Sequence, residues 1–322
     1  MSRTGISVNL EALKLVNEIL NNPNRFGVII KEAESGASII DAGIEAHGGF
    51  LTGKVITEIC MGGLGEARLL HRRYRDTDLP TISVFTDIPA IATLGSQFAG
   101  WNIRVDGYSA IGSGPARALS LKPKSIYKMI DYRDDADNAV LVLETSKEPP
   151  EKVIEHISKL CNVKPENLFV ILTPTSSVVG STQVSGRIVE TGIHKLANSG
   201  LEPSLIKCAH GYAPILPVHP DRAEAMGRVN DAIIYGGAAC YLVEFDGTDE
   251  TLRGIVEKSV SSASEQYGRP FAEIFREAGF DFYKVDSNLF APAALTVSNM
   301  RTGKTFTAGR INAQVIVKST VL

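Results

Sequence analysis

The chain has 322 residues, room for two domains or one large one, and enough to bury a core without metal or disulfide staples. An apolar fraction of 44% and a charged fraction of 21% exclude a disordered or collagen-like chain. The net charge is −3 with basic residues spread along the chain, which argues against a nucleic-acid partner.

Val8, Leu13, Leu15, Val16, Ile19 and Leu20 recur at helical spacing and predict a first helix over "SVNLEALKLVNEILNN", stopped by Asn-Asn-Pro. "RFGVIIKEAESGASIIDAGI" reads as a hairpin turning through Glu34-Ser35-Gly36. "GGFLTGKVITEICMGG" reads as a short helix between glycines, followed by "GEARLL" and a β-branched run, "TISVFTDIPAIATLG". "DGYSAIGSGPARALS" reads as a glycine-rich loop leading into a helix with Pro115 in its first turn.

At "ETSKEPPEKV" the texture changes to charge plus a double proline, the best position for a domain boundary, dividing the chain into 1–147 and 148–322. A helix over 151–161, a buried strand over 167–174 and a helix from about Ser177 to Asn198 follow. "HPDRAEAMGRVNDAIIYGG" is punctuated as a helix and "AACYLVEF" as a strand, and two helices fill 248–279. The last stretch alternates like a hairpin turning at Thr302-Gly303, which is free to pack back on the first domain. The expected fold class is α/β, two layered domains with mixed sheets and hairpins.

Cys60, Cys161, Cys208 and Cys240 form no CxxC pair and read as packed, reduced thiols. The amino terminus lacks the apolar stretch of a signal peptide, and no run approaches the ~20 apolar residues of a membrane span. A soluble, cytoplasmic protein with no membrane partner is expected.

Neither "CMGGLGEARL" nor "IGSGPARAL" fits a dinucleotide or P-loop fingerprint. Gly112, Ser113, Gly114 and Arg117 could still cradle a phosphate at a helix start, or Gly112–Pro115 could be a plain tight turn. Cys208, His210 and His219 offer zinc-type ligands in "CAHGYAPILPVHPD", but their spacing matches no recognised site and the prolines suggest a constrained loop. No serine or cysteine carries a nucleophile signature.

On a continuous helix, Gln183, Arg187, Glu190 and His194 would form one polar stripe, with apolar residues on the other faces. Such a stripe is either a solvated ion pair worth roughly a few tenths of a kcal/mol, or the wall of a pocket. The apolar remainder of the helix weakens the ion-pair reading, because a polar stripe on a buried helix more often faces a pocket, but on the residues alone both readings stay open. In a pocket, burial would push a glutamate towards its neutral form while an arginine favoured the carboxylate, tuning a base.

Seven stretches, "SIIDAGI", "EICMGGLGEARL", "GYSAIGSGPARAL", "TSSVVGSTQVSGRIVET", "AHGYAPILPVHPD", "AMGRVNDAIIYGG" and "DFYKVDSNLFAPAALTVSNMRTGKTFTAGRIN", together resemble the methenyltetrahydromethanopterin cyclohydrolase family. They occur in order from about residue 39 to 312. The resemblance implies reversible hydrolysis of the methenyl bridge of a pterin carrier to the formyl derivative, without metal or prosthetic group, the pterin being the substrate. It also implies a homotrimer of two-domain subunits with a pocket between the domains, and places the main catalytic roles on Arg187 and Glu190. The phosphate-bearing tail of that substrate needs an anion site, for which Gly112, Ser113, Gly114 and Arg117 are the first choice. Thr93, Gly95 and Gln97 in "TLGSQ" are expected to line the pterin or its tail. Two other readings stay open: a non-catalytic pterin carrier, and a zinc-dependent hydrolase using Cys208, His210 and His219.

Overall fold

A computed structural model describes residues 5–321; the four residues that begin the amino-terminal stretch read for targeting lie outside it. The chain opens with α1 (Val8–Asn21), α2 (Pro23–Phe26), β1 (Ile29–Glu32), β2 (Ser38–Asp41), α3 (Phe50–Cys60), β3 (Glu66–Tyr74) and β4 (Thr77–Thr86). After a π-helix over Ile91–Gln97 come β5 (Trp101–Val105), β6 (Tyr108–Ser113), α4 (Ala116–Ser120), α5 (Lys124–Ile130), β7 (Ala139–Glu144), α6 (Glu151–Cys161) and β8 (Leu168–Leu172). The remainder is α7 (Val178–Ser185), α8 (Ile188–Asn198), β9 (Ile206–Pro214), α9 (Arg222–Ile234), β10 (Ala238–Val243), α10 (Asp249–Glu257), α11 (Phe271–Glu277), β11 (Ala294–Asn299), β12 (Thr305–Gly309) and α12 (Ala313–Val321). Among the described residues no helix is long and apolar enough to cross a membrane.

These elements form two compact α/β units, each discontinuous in sequence: residues up to 66 with 91–183, and 67–90 with 184 onward. The first unit holds a mixed sheet in the order β1-β2-β8-β7-β6-β5. β1 and β2 form the expected hairpin, with Ile30 opposite Ile40. β8 lies parallel to both β2 and β7. Ala139, Leu141 and Leu143 of β7 face one core with α4 and α6, while Val140 and Val142 face another with α1 and α3. Covering both faces is why "AVLVLE" and "LFVIL" are nearly continuous apolar runs rather than alternating ones.

Two expectations are revised in this unit. Pro149-Pro150 does not lie between the units: Pro150 is the N-cap of α6, which carries the chain from β7 to its parallel neighbour β8. Proline suits a helix start, where the missing N–H has no intrahelical partner, and that role produces the same local texture as a linker. "DGYSAIGS" is not a loop but the turn and second strand of a β5–β6 hairpin, with Asp106 and Gly107 both at positive φ. That is the backbone a two-residue hairpin turn demands, and Asp-Gly supplies it.

The second unit holds a mixed sheet in the order β12-β11-β10-β9-β4-β3. The β11–β12 hairpin belongs to this sheet, β11 pairing in parallel with β10. The stretch read as a constrained loop at "CAHGYAP" is strand β9, paired on both sides. Helices α8 and α9 pack on the face bearing Ala209, Ala213 and Tyr241. The opposite face carries Phe85, Cys208, His210, Cys240 and Leu242, half-buried or exposed.

Asp231 of α9 ties three helices of this unit together. It accepts hydrogen bonds from the backbone of Phe271 at the start of α11, at 2.8 Å, and from the hydroxyl of Ser319 in α12. Burial pushes its carboxyl up to about 7, against the opposing pull of those hydrogen bonds. Between pH 3.8, the ordinary value, and about 7 the folded chain therefore holds a proton that the unfolded chain has released. Stability from this group is full below that window and falls as pH rises through it, by on the order of 4 kcal/mol. Asp231→Asn keeps an acceptor for the Phe271 amide without the charge, so thermal melts should show the variant gaining on the parent as pH is raised through this window.

Candidate functional site

The expected helix over 177–198 is broken. α7 ends at Ser185 and α8 begins at Ile188, with Gly186 and Arg187 between them. The Arg187 N–H donates to Val184 O at 2.9 Å and its carbonyl accepts from Thr191 N at 2.8 Å, so one residue closes one helix and opens the next. Gln183 lies before the break, in the last turn of α7 and in the first unit. Arg187 and Glu190 stand at the start of α8, with His194 one turn further on.

The break changes the electrostatics. Glu190 occupies the first turn of an eleven-residue helix whose N-cap is Arg187. Unpaired N–H groups and the helix dipole favour negative charge there, typically by about 0.3–1 kcal/mol. Both side chains are buried, each only 6% exposed, so neither is an ordinary surface charge. One turn on, burial and then the neighbouring Lys195 charge push the His194 imidazole below its ordinary value, which keeps it neutral at neutral pH.

In the first unit, Thr93, Gly95 and Gln97 lie on the π-helix, which closes an i→i+5 bond from Phe98 N to Thr93 O at 2.8 Å. π-Helical turns are rare and concentrate at functional sites. All three residues are buried, together with Ser96. The structure brings this segment against the 112–117 stretch: Gly114 N donates to Ser96 O at 2.9 Å. Gly112 lies inside β6, paired with Trp101 and Leu143, and Ser113 Oγ sits 3.8 Å from Cys60 Sγ.

Arg117 has a different surrounding from the anion site drawn from sequence. Its side chain is fully buried. Nε donates to Lys122 O at 2.8 Å, and Nη1 donates to Leu94 O at 3.2 Å and Ser96 O at 2.9 Å. The guanidinium also lies over the rings of Phe98 and Tyr127. It thus anchors the carbonyls of the π-helix, and α4, at five residues, is a short turn rather than an extended helix.

The zinc-type residues do not assemble. Cys208 and His210 share the outward face of β9, where His210 stacks on Phe85 with ring centres 5.6 Å apart. His219 Nδ1 accepts from Asp221 N, and Asp221 caps α9. Among the described residues no three His, Cys, Asp or Glu side chains form a group able to hold a metal ion.

Asp41 in "SIIDAGI" was not singled out from sequence. It is buried and accepts four backbone N–H bonds, from Gly43, Ile44, Glu45 and Ala46. Burial pushes its carboxyl up, but those four donors outweigh it and hold the group below the ordinary carboxylate range. Its function is to fasten the loop after β2. An Asp ending a strand, with a glycine two residues on, is the signal that could have found it.

Comparisons with known proteins match nearly the whole chain. The family model described as "Cyclohydrolase (MCH)" matches residues 7–320. A methenyltetrahydromethanopterin cyclohydrolase from Methanococcoides burtonii is 45% identical over 314 residues, 98% of each chain. Proteins of the same name from Methanothermobacter marburgensis and Methanocaldococcus jannaschii are each 43% identical, over 320 and 317 residues. With the match running end to end through both units, the chain belongs to the MCH cyclohydrolase family.

Proposed function

We infer that this chain reversibly hydrolyses the methenyl bridge of methenyltetrahydromethanopterin to the formyl derivative. The full-length similarity to cyclohydrolases carries this reading. Incubating the purified protein with the methenyl compound and following loss of its near-ultraviolet absorbance tests it. A rate no faster than in buffer overturns it.

The chemistry asks little of the protein. The methenyl carbon lies between two nitrogens that share a positive charge, so it is already electrophilic. Water oxygen bonds to that carbon, and Glu190 takes one water proton as general base. One carbon–nitrogen bond then breaks, with its electron pair and a proton from Glu190 going to the departing nitrogen. The remaining water proton leaves to solvent, and the formyl group stays on the other nitrogen. The carboxylate at the helix start also stabilises the cationic ring, and Arg187, three residues before it, orients the water or the new carbonyl. The buried positions of Glu190 and Arg187 at the opening of α8 support these roles.

For the rest of the substrate, the π-helix is our choice for pterin contacts, supported by its buried polar side chains Thr93, Ser96 and Gln97. Gly112, Ser113 and Gly114 pack beside it, and Arg117 acts from beneath by holding the carbonyls in place. We propose that the pterin carrier is substrate and that no further cofactor takes part; activity unchanged after exhaustive chelation is the expected result. A homotrimer in the cytoplasm is the proposed state, and the molecular mass in solution checks the subunit count.

A further inference from the structure

The first turn of α8 is held more closely than a helix resting on a sheet requires. Tyr241, on the inward face of β10 and buried, donates its hydroxyl to Val189 O at 2.9 Å. That carbonyl belongs to the peptide joining Val189 to Glu190. The hydroxyl reaches it because residue 192 is glycine: a Cβ there would stand 2.0 Å from Tyr241 Oη. Two more glycines bring the sheet up to the same turn. A Cβ on Gly237 would lie 2.4 Å from Ile188 Cδ1, and one on Gly211 would lie 3.2 Å from Val189 Cγ2. Burial, then the charges of Cys240 and Glu190, push the Tyr241 hydroxyl well above its ordinary value, so it remains a donor.

We propose that Tyr241 is a positioning residue for Glu190, its hydroxyl fixing the 189–190 peptide and with it the height and direction of the carboxylate. The proposal rests on Glu190 being the general base. A buried hydrogen bond contributes only about 1 kcal/mol to stability. Displacing a catalytic group by ~1 Å can cost ~10²-fold in rate. The effect should therefore appear in turnover far more than in folding.

Tyr241→Phe removes the hydroxyl and little else. It is expected to lower kcat roughly tenfold with KM changed less than about twofold. Tyr235→Phe in the same unit loses two hydroxyl bonds away from α8, one donated to Arg269 O and one accepted from Gly268 N. This control should lose at least as much stability and keep its kcat. In a Glu190→Gln background, Tyr241→Phe should cost nothing further, because the group it positions is already disabled. Gly192→Ala leaves the tyrosine but forces its hydroxyl off the carbonyl, and should show the same selective loss of kcat if Tyr241→Phe folds poorly. An unchanged kcat in Tyr241→Phe, or a full additional loss in the Glu190→Gln background, overturns the proposal. An active parent with either result leaves the cyclohydrolase reading intact, whereas an inactive parent sinks both.

Discussion

Glu190→Gln is expected to lower turnover of the methenyl compound by roughly 10²–10⁴-fold, the usual worth of a positioned acid–base group. The amide fills the same space but cannot accept a proton from water or return one to nitrogen. It also removes a negative charge beside a cationic ring, so KM should rise as kcat falls. Folding should change little, because a carboxylate in the first turn of α8 gains only about 0.3–1 kcal/mol from the helix dipole. Absorbance kinetics and a thermal melt on the same preparation check both halves. Near-parental turnover would remove Glu190 as the base, and a collapsed melt would make it a structural residue instead.

Arg117→Met is expected to act in the opposite way, on stability first. Three carbonyl oxygens, of Leu94, Ser96 and Lys122, accept from this one guanidinium, and its side chain is fully buried. Methionine approximates the volume but removes all three of these donors, leaving Ser96 O only its bond from Gly114 N. Hydrogen bonds to a charged group contribute about 1.5–3 kcal/mol each, with incomplete additivity, so a loss on the order of 3–5 kcal/mol is expected. Denaturant unfolding measures it. A variant of parental stability whose only defect is a raised KM would return Arg117 to the phosphate-binding role drawn from sequence.

Much of the fold was legible because the local signals agree with the packing. Ser7 before the apolar period of α1, the Asp221 cap of α9 and the turn at Thr302-Gly303 each satisfy backbone groups nearby, so a one-dimensional reading finds them. Misreadings occurred where a residue type serves two purposes. Pro149-Pro150 marks a helix entry as readily as a linker. The glycines of "IGSG" lie at a strand end and in the turn after it, where a hairpin strand was read as a loop. The break at Gly186 left no trace in hydrophobic periodicity, since both flanking segments are helical and apolar. The site divided in the same manner. Arg187 and Glu190 are neighbours in sequence and could be paired by counting. The Tyr241 bond to Val189 spans 52 positions and follows from the pairing of β9 with β10, which no local pattern records.

The π-helix at Ile91–Gln97 has one further consequence. A turn closed from Phe98 N to Thr93 O contains one residue more than an α-helical turn. A chain shortened by a single residue here could therefore still close hydrogen bonds, by relaxing to the commoner helix. What it would lose is alignment: Gly95 O, now held by the Tyr127 hydroxyl at 2.8 Å, and the two carbonyls held by Arg117 would turn to new directions. At this segment chain length itself sets which way the held carbonyls point. Deleting one residue should prove more damaging than exchanging the side chain of any one of them.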